Sequence, residues 1–380
     1  LMITRKTDLD MSIAASYEHY PMETQEDEFN AHLVDEGIYG SLSMGVMISP
    51  YLRGTAYEDA VYRTDYIDTR GIYDPYGGAE YEYFSNKIGV DMDWLMSKSM
   101  NLGLSLSRVD FIPSDDEYEE QERVSYNESL LYEYEIYDGL ITGVRGDFTQ
   151  TDYTDPDRQD TLLEDYSVFF RLGEDEGARI RLTEASSLTV RLGYSQGYDW
   201  SSSETNENEQ SIISGEVELR TRMRRDLIQE IGYRRRLEGG FRSSFDKVDA
   251  AYYRLYWNGK LSSAGFRTEF TEVEPSSSEE NSYRNWLTGI DAGYPLTPYI
   301  RLLFSSVYTV RDNRNSVDGV DEEWANDYDT WSSRLGTSFG VTKKIDFSTY
   351  IQHVERVSDS DDLEYTRDTF AATFTFSHRL

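Results

Sequence analysis

Near its end the chain alternates strictly. Phe370, Ala372, Phe374, Phe376, His378 and Leu380 fall on one side, and Ala371, Thr373, Thr375, Ser377 and Arg379 on the other. A period of two sends successive side chains to opposite faces of a strand, where a helix would need 3.6. The pattern recurs throughout. Leu9, Met11, Ile13, Ala15 and Tyr17 form one such face, then Ile38 to Val46, Ile88 to Trp94, and Leu102, Leu104 and Leu106. Leu130 to Ile136, Tyr166 to Leu172, Leu188 to Tyr194, Ile213 to Leu219, Ala251 to Trp257, Ile300 to Ser306 and Trp331 to Val341 repeat it. Together they predict about eighteen strands of roughly 9–11 residues, the length that crosses a bilayer at a tilt.

The links alternate too. After even-numbered strands they are mostly tight: Ser49-Pro50, Ser97-Lys98-Ser99, Tyr137-Asp138-Gly139, Asn258-Gly259-Lys260, Pro295 to Pro298 and Lys343-Lys344. Asn258-Gly259 is a two-residue hairpin signal. Gly173 to Ser186 is a long exception. After odd-numbered strands the links are long and acidic: Pro21–Asn30, Asp110–Arg123, Gln150–Asp160, Ser201–Gln210, Glu272–Asn281, Arg311–Asp327 and Ser358–Glu364. Short turns on one rim and long loops on the other predict an all-β fold. Residues 1–380 are expected to form one closed antiparallel transmembrane β-barrel of about eighteen strands, with periplasmic turns and termini and acidic extracellular loops. Trp94, Tyr194, Trp257 and Tyr294 end apolar faces, as girdle aromatics do. A soluble propeller would repeat every ~40 residues, and no such self-similarity is present.

If the apolar face meets lipid, the alternate residues line the lumen. Leu104, Val190, Leu219, Leu255, Leu302 and Phe374 then face outward. Arg191, Arg220, Arg234, Arg254, Arg267 and Arg301 face inward with Arg145 and Arg171. Asp91, Asp93, Glu133 and Glu135 face inward from an acidic arc. Opposed arcs set up a transverse field for polar solutes. Glu216, Glu218, Glu230 and Glu269 sit on the same strands as the arginines and can neutralise many of them.

Composition narrows the function. There are 37 Lys+Arg against 71 Asp+Glu, a net charge of −34, which excludes a general nucleic-acid binder. No stretch approaches the ~18 apolar residues of a membrane helix. The 31 Tyr argue against disorder, and the lack of Cys excludes thiolate chemistry. No signal peptide is visible at Leu1, so the expectation is a cytoplasmic or processed chain. His19, His32 and His353 fall near one rim with Asp35, Glu36 and Glu355, the raw material of a His/carboxylate site. Rim histidines are usually solvated, and no G-x-S-x-G or H-E-x-x-H is present, so no enzyme and no cofactor are expected. Asp359-Ser360-Asp361-Asp362 and Asp115-Asp116-Glu117 are oxygen-rich without calcium-loop spacing, and no metal is assigned to them.

Ser187-Leu-Thr-Val-Arg-Leu-Gly-Tyr-Ser195, Pro295-Leu-Thr-Pro-Tyr-Ile-Arg-Leu302 and Leu363-Glu-Tyr-Thr-Arg-Asp-Thr-Phe370 carry a resemblance. These hairpins resemble the β-barrel porins of bacterial exopolysaccharide operons, over about the last 200 residues and without a diagnostic motif. The final strand resembles the signal read by the barrel-assembly machinery, although it ends on Leu380 instead of Phe. The resemblance implies a Gram-negative outer-membrane barrel that assists polysaccharide export, with lipid, lipopolysaccharide and a periplasmic export protein as partners. The leading reading is a passive channel for hydrophilic solutes or an exported, anionic exopolysaccharide, since Arg can pair with successive carboxylates. The alternative is a structural or adhesion barrel with a plugged lumen and partner-binding acidic loops.

Overall fold

The computed structural model describes residues 7–19, 34–65, 81–114, 121–155, 159–173, 185–200, 209–239, 245–276, 282–313, 327–340, 345–358 and 365–379. Part or all of each long acidic link lies outside these stretches, as do both oxygen-rich segments, His32 and the Lys343-Lys344 turn. The side chains of residues 7–39 and 373–379, including His19, His378 and Phe374, lie outside the description as well.

The first strands are β1 (Thr7–His19), β2 (Val34–Ser49), β3 (Leu52–Asp65), β4 (Tyr81–Ser97), β5 (Met100–Pro113) and β6 (Arg123–Tyr137). The middle ones are β7 (Leu140–Tyr153), β8 (Asp160–Leu172), β9 (Ser186–Trp200), β10 (Gln210–Arg224), β11 (Leu227–Gly239) and β12 (Phe245–Asn258). The last are β13 (Ser263–Pro275), β14 (Tyr283–Pro295), β15 (Ile300–Asn313), β16 (Tyr328–Gly340), β17 (Ile345–Ser358) and β18 (Tyr365–Arg379). Each pairs antiparallel with its neighbours in sequence, in one sheet. β1 also pairs with β18, from Asp10 opposite Arg379 to His19 opposite Phe370.

The strands run from 13 residues in β1 to 17 in β4, longer than the alternation predicts. The excess lies at the long-link end, where the apolar face turns charged. Arg108, Arg235 and His353 are the ninth residues of β5, β11 and β17. Each has an acidic partner on the same face: Arg108–Asp110 at 2.6 Å, Arg235–Asp249 at 3.9 Å and His353–Asp368 at 2.7 Å. Eight residues at ~3.3 Å rise and ~40° tilt climb about 20 Å, close to the apolar band of a membrane barrel. The sequence pattern therefore detects the greasy segment of each strand and misses its polar extension.

Within the band, polar side chains on the apolar face are mostly paired with each other. Thr268 meets Thr288 at 3.1 Å, Ser306 meets Ser333 at 2.9 Å and Thr337 meets Thr349 at 3.0 Å. Trp286 and Trp331 donate indole N–H bonds to Thr268 and Ser306. A hydroxyl facing hydrocarbon costs little when a cross-strand partner satisfies it. Glu58 of β3 breaks the pattern. It lies opposite Leu42 and Ile88 on the apolar face and is exposed, with no ion-pair partner among the described residues.

One expected turn is corrected. Asn258-Gly259 does not form a two-residue hairpin, because four residues separate Asn258 from Ser263. The positive-φ glycines among the described residues are Gly139 and Gly173. Asn258 instead donates its backbone N–H to Asp226 (2.7 Å), and the Trp257 indole donates to the Asp226 carboxylate (2.8 Å). These ties fix the β12 end to the neighbouring turn, so the tight φ > 0 geometry is not required.

Candidate functional site

Along the regular ladders register assigns side chains to a face, because residues opposite one another point the same way. Leu237 and Phe245, near the long-link ends of β11 and β12, depart from it and pack with Ile212 of the polar face. Val190, Leu219, Leu255 and Leu302 share the apolar face with exposed Leu192, Val217, Trp257 and Phe304. Leu104 does so with Leu130, its partner on β6. Arg191, Arg220, Arg234, Arg254, Arg267 and Arg301 fall on the other, polar face, and so do Asp91, Asp93, Glu133 and Glu135.

The arginines do not form an unbroken basic arc. The register places Glu216 opposite both Arg191 and Arg234, and Glu230 opposite both Arg220 and Arg254. The side chains then interleave. Arg191 reaches Glu216 at 3.7 Å, and Arg220 and Arg254 reach Glu230 at 3.4 and 4.0 Å. Arg234 and Arg254 reach Glu269 at 2.8 and 3.9 Å. Glu218 accepts a 2.6 Å bond from the Tyr252 hydroxyl. The result is a ladder of alternating sign across β9–β13. Arg171 likewise bonds Glu133 at 3.3 Å, and Arg145 bonds Asp147 at 2.6 Å.

A few charges escape this pairing. Arg267 and Arg301 have no carboxylate partner among the described residues, and Arg301 donates to the Ser263 hydroxyl at 2.6 Å. Asp91 accepts only a hydroxyl bond from Ser105, at 2.6 Å. Asp93 lies opposite Arg53 in register without forming an ion pair. β4, which carries Asp91 and Asp93, and β13, which carries Arg267, are nine pairings apart in either direction around the strand series. Glu135 accepts from the Gly139 backbone at 3.4 Å.

Three features were not visible in the sequence. Aromatic rings on the polar face occupy the space above glycines of the adjoining strand: Tyr57 at Gly89, Phe169 at Gly143 and Tyr252 at Gly232. Towards the long-link end, buried Ile212, Leu237 and Phe245 pack together with Leu163. Arg311 lies 3.6 Å from the Tyr283 ring centre and 5.8 Å from that of Tyr328, and Arg356 lies 4.4 Å from Tyr328. Adjacent apolar residues such as Phe169-Phe170 signal such filling only weakly, since alternation alone assigns one of them to lipid.

His353 does not point among the polar-face charges. It shares the apolar face with Ile351, beside Trp331 (ring centres 6.4 Å apart), and its carboxylate partner is Asp368. Among the described residues no three His, Cys, Asp or Glu side chains gather to hold a metal.

Comparison with known proteins adds the last observation. No family model and no curated protein matches the chain. Solved structures do. The Pseudomonas aeruginosa protein OpdK, crystallised with vanillate, is 10 % identical with a TM-score of 0.54, covering 99 % of each chain. The copper transporter OprC is 11 % identical with a TM-score of 0.53, covering 98 % of this chain and 80 % of its own. Pseudomonas aeruginosa OccK3 (OpdO) is 11 % identical with a TM-score of 0.50, covering 99 % and 96 %. The fold is that of outer-membrane β-barrel porins. At such identity the likeness extends to the fold alone, and the site must be read from its own residues.

Proposed function

We propose that the chain is a closed, eighteen-strand barrel in the outer membrane of a Gram-negative bacterium, acting as a porin-like channel for hydrophilic solutes. The apolar face meets lipid and lipopolysaccharide, the polar face lines an aqueous lumen, and the tight turns face the periplasm. The observation that carries this reading is the placement of unpaired charge. In a ring of eighteen strands, nine pairings put β4 diametrically opposite β13. Asp91 and Asp93 then face Arg267 and Arg301 across the lumen, with Asp291 of β14 between the strands of those two arginines, and the paired ladder on β9–β13 contributes little net charge. Charges in a narrow, low-dielectric passage are poorly screened and orient dipolar solutes. The channel therefore suits small polar or zwitterionic solutes, and no covalent chemistry is required of it.

Passage of an anionic exopolysaccharide along the Arg267–Arg301 side, with a periplasmic export protein delivering it, is a narrower version that rests on the sequence resemblance. The plugged-barrel alternative draws on buried Tyr83, Phe245, Val248 and Val273 at the long-link end of the polar face, which narrow the mouth. Planar-bilayer recording separates the two. An open channel conducts steadily, and replacing Asp91 and Asp93 by Asn shifts its reversal potential toward anions. No conductance, or an unchanged reversal potential, refutes the proposal.

A further inference from the structure

The polar face holds a second, uncharacterised site near the long-link end of β8–β10. Asp199 is 4 % exposed, and neither of its carboxylate oxygens has a hydrogen-bond partner. Gln210 sits opposite Gly197, two residues down β9 from Asp199 and on the same face. Its amide oxygen Oε1 is also buried and unpartnered. Three buried acceptor oxygens on this part of the face thus have no donor. On the other side, Thr161 of β8 lies directly opposite Asp199 and is 7 % exposed. Beyond it Thr151 and Ser125 bond each other at 3.1 Å, continuing a row of hydroxyls across β6–β8.

Below the carboxylate lies the apolar cluster of Leu163, Ile212, Leu237 and Phe245, with Phe245 over Gly197. It separates Asp199 from the charged ladder deeper in the lumen. An ionised carboxylate in such a place costs several kcal/mol unless a cation or several donors compensate it. No arginine or lysine of the described residues does so. Carboxylate, amide and hydroxyl oxygens are the donor set of hard divalent cations, which complete their shell with water.

We propose that Asp199, Gln210 and Thr161 form a binding site for a hard divalent cation of the Ca²⁺ type on the inner wall of the barrel mouth. Bound there, the ion ties β8, β9 and β10 together where the strands leave the bilayer. The test must separate binding there from binding at the acidic segments 115–117 and 359–362, which lie outside the described residues.

Equilibrium dialysis of the full chain in detergent with ⁴⁵Ca²⁺, beside thermal unfolding with and without EDTA, provides that test. The expected result is that Asp199→Asn binds one fewer tight Ca²⁺ than wild type, whereas Asp361→Asn keeps it. Ca²⁺ should raise the unfolding midpoint of wild type and of Asp361→Asn but not of Asp199→Asn. In EDTA Asp199→Asn should unfold no earlier than wild type, because it removes an uncompensated buried charge. Gln210→Glu supplies a second carboxylate and should tighten Ca²⁺ binding about tenfold or more. Equal Ca²⁺ stoichiometry in wild type and Asp199→Asn overturns the site. So does a Gln210→Glu variant whose Ca²⁺ affinity is unchanged, or an Asp199→Asn variant that is less stable in EDTA, which would mean that the chain itself satisfies the carboxylate.

Discussion

The ring of Tyr252 occupies the space that a β-carbon on Gly232 would need: such an atom would stand 2.2 Å from the ring. The two residues are cross-strand partners on β12 and β11, and the Tyr252 hydroxyl continues to Glu218 on β10. Glycine thus lets one aromatic side chain tie three strands on the polar face. Gly232→Ala should displace the ring and destabilise the barrel by about 1–3 kcal/mol, the usual cost of overpacking. Urea unfolding in detergent measures it. A variant as stable as wild type would show that the ring moves aside freely.

How far such contacts can be foreseen depends on their range. The alternation of Ile213, Val217 and Leu219 separates the apolar from the polar face of β10, because alternation is a property of one strand alone. Charge pairing is different. That Glu230 sits between Arg220 and Arg254 follows from registers across two strand pairs, and a slip of one residue would dissolve it. The strand extensions escaped because Arg108 and Asp110 end an apolar run and read as a loop, although they remain in the ladder. Asp199 was hidden for a similar reason. Its sequence neighbours Tyr198 and Trp200 look like a strand end, and its burial opposite Thr161 depends on packing that the alternation does not record.

Glu230 is the hinge of the charge ladder. Neutralising it leaves Arg220 and Arg254 with less counter-charge, whereas replacing Arg220, Arg234 and Arg254 together by Ser leaves Glu216, Glu230 and Glu269 in excess. In planar bilayers Glu230→Gln should move the reversal potential toward anions and the triple Ser variant toward cations. Shifts of the same sign would mean that these charges do not line the conducting path.

The apolar band predicts where the tryptophans sit. Trp94 lies near the tight-turn end of β4, and Trp331 lies on β16 at the level where His353 and Asp368 begin the charged zone. Trp and Tyr prefer the membrane–water interfaces. Single-Trp variants in vesicles, quenched by lipids brominated at different acyl depths, should place both residues near the ends of the hydrocarbon layer. Strong quenching of Trp331 by mid-chain bromines would move the upper boundary beyond the ion pairs.

Like Glu128 of β6, opposite Leu106 and Phe148, Glu58 is an ionisable side chain in the lower part of the apolar face for which the described residues supply no partner. It is the seventh residue of β3, below the level at which Arg108 and His353 appear, and its ladder partners are Leu42 and Ile88. The carboxylate faces hydrocarbon or bends toward the nearer headgroups, and either choice costs free energy. Lipid-facing acids cost less than Arg or Lys, for which the midplane penalty is about 2–4 kcal/mol. Glu58→Leu should therefore stabilise the barrel by about 1–2 kcal/mol in reversible unfolding from lipid vesicles. If Glu58→Leu instead destabilises the protein at neutral pH, this part of the wall does not face lipid.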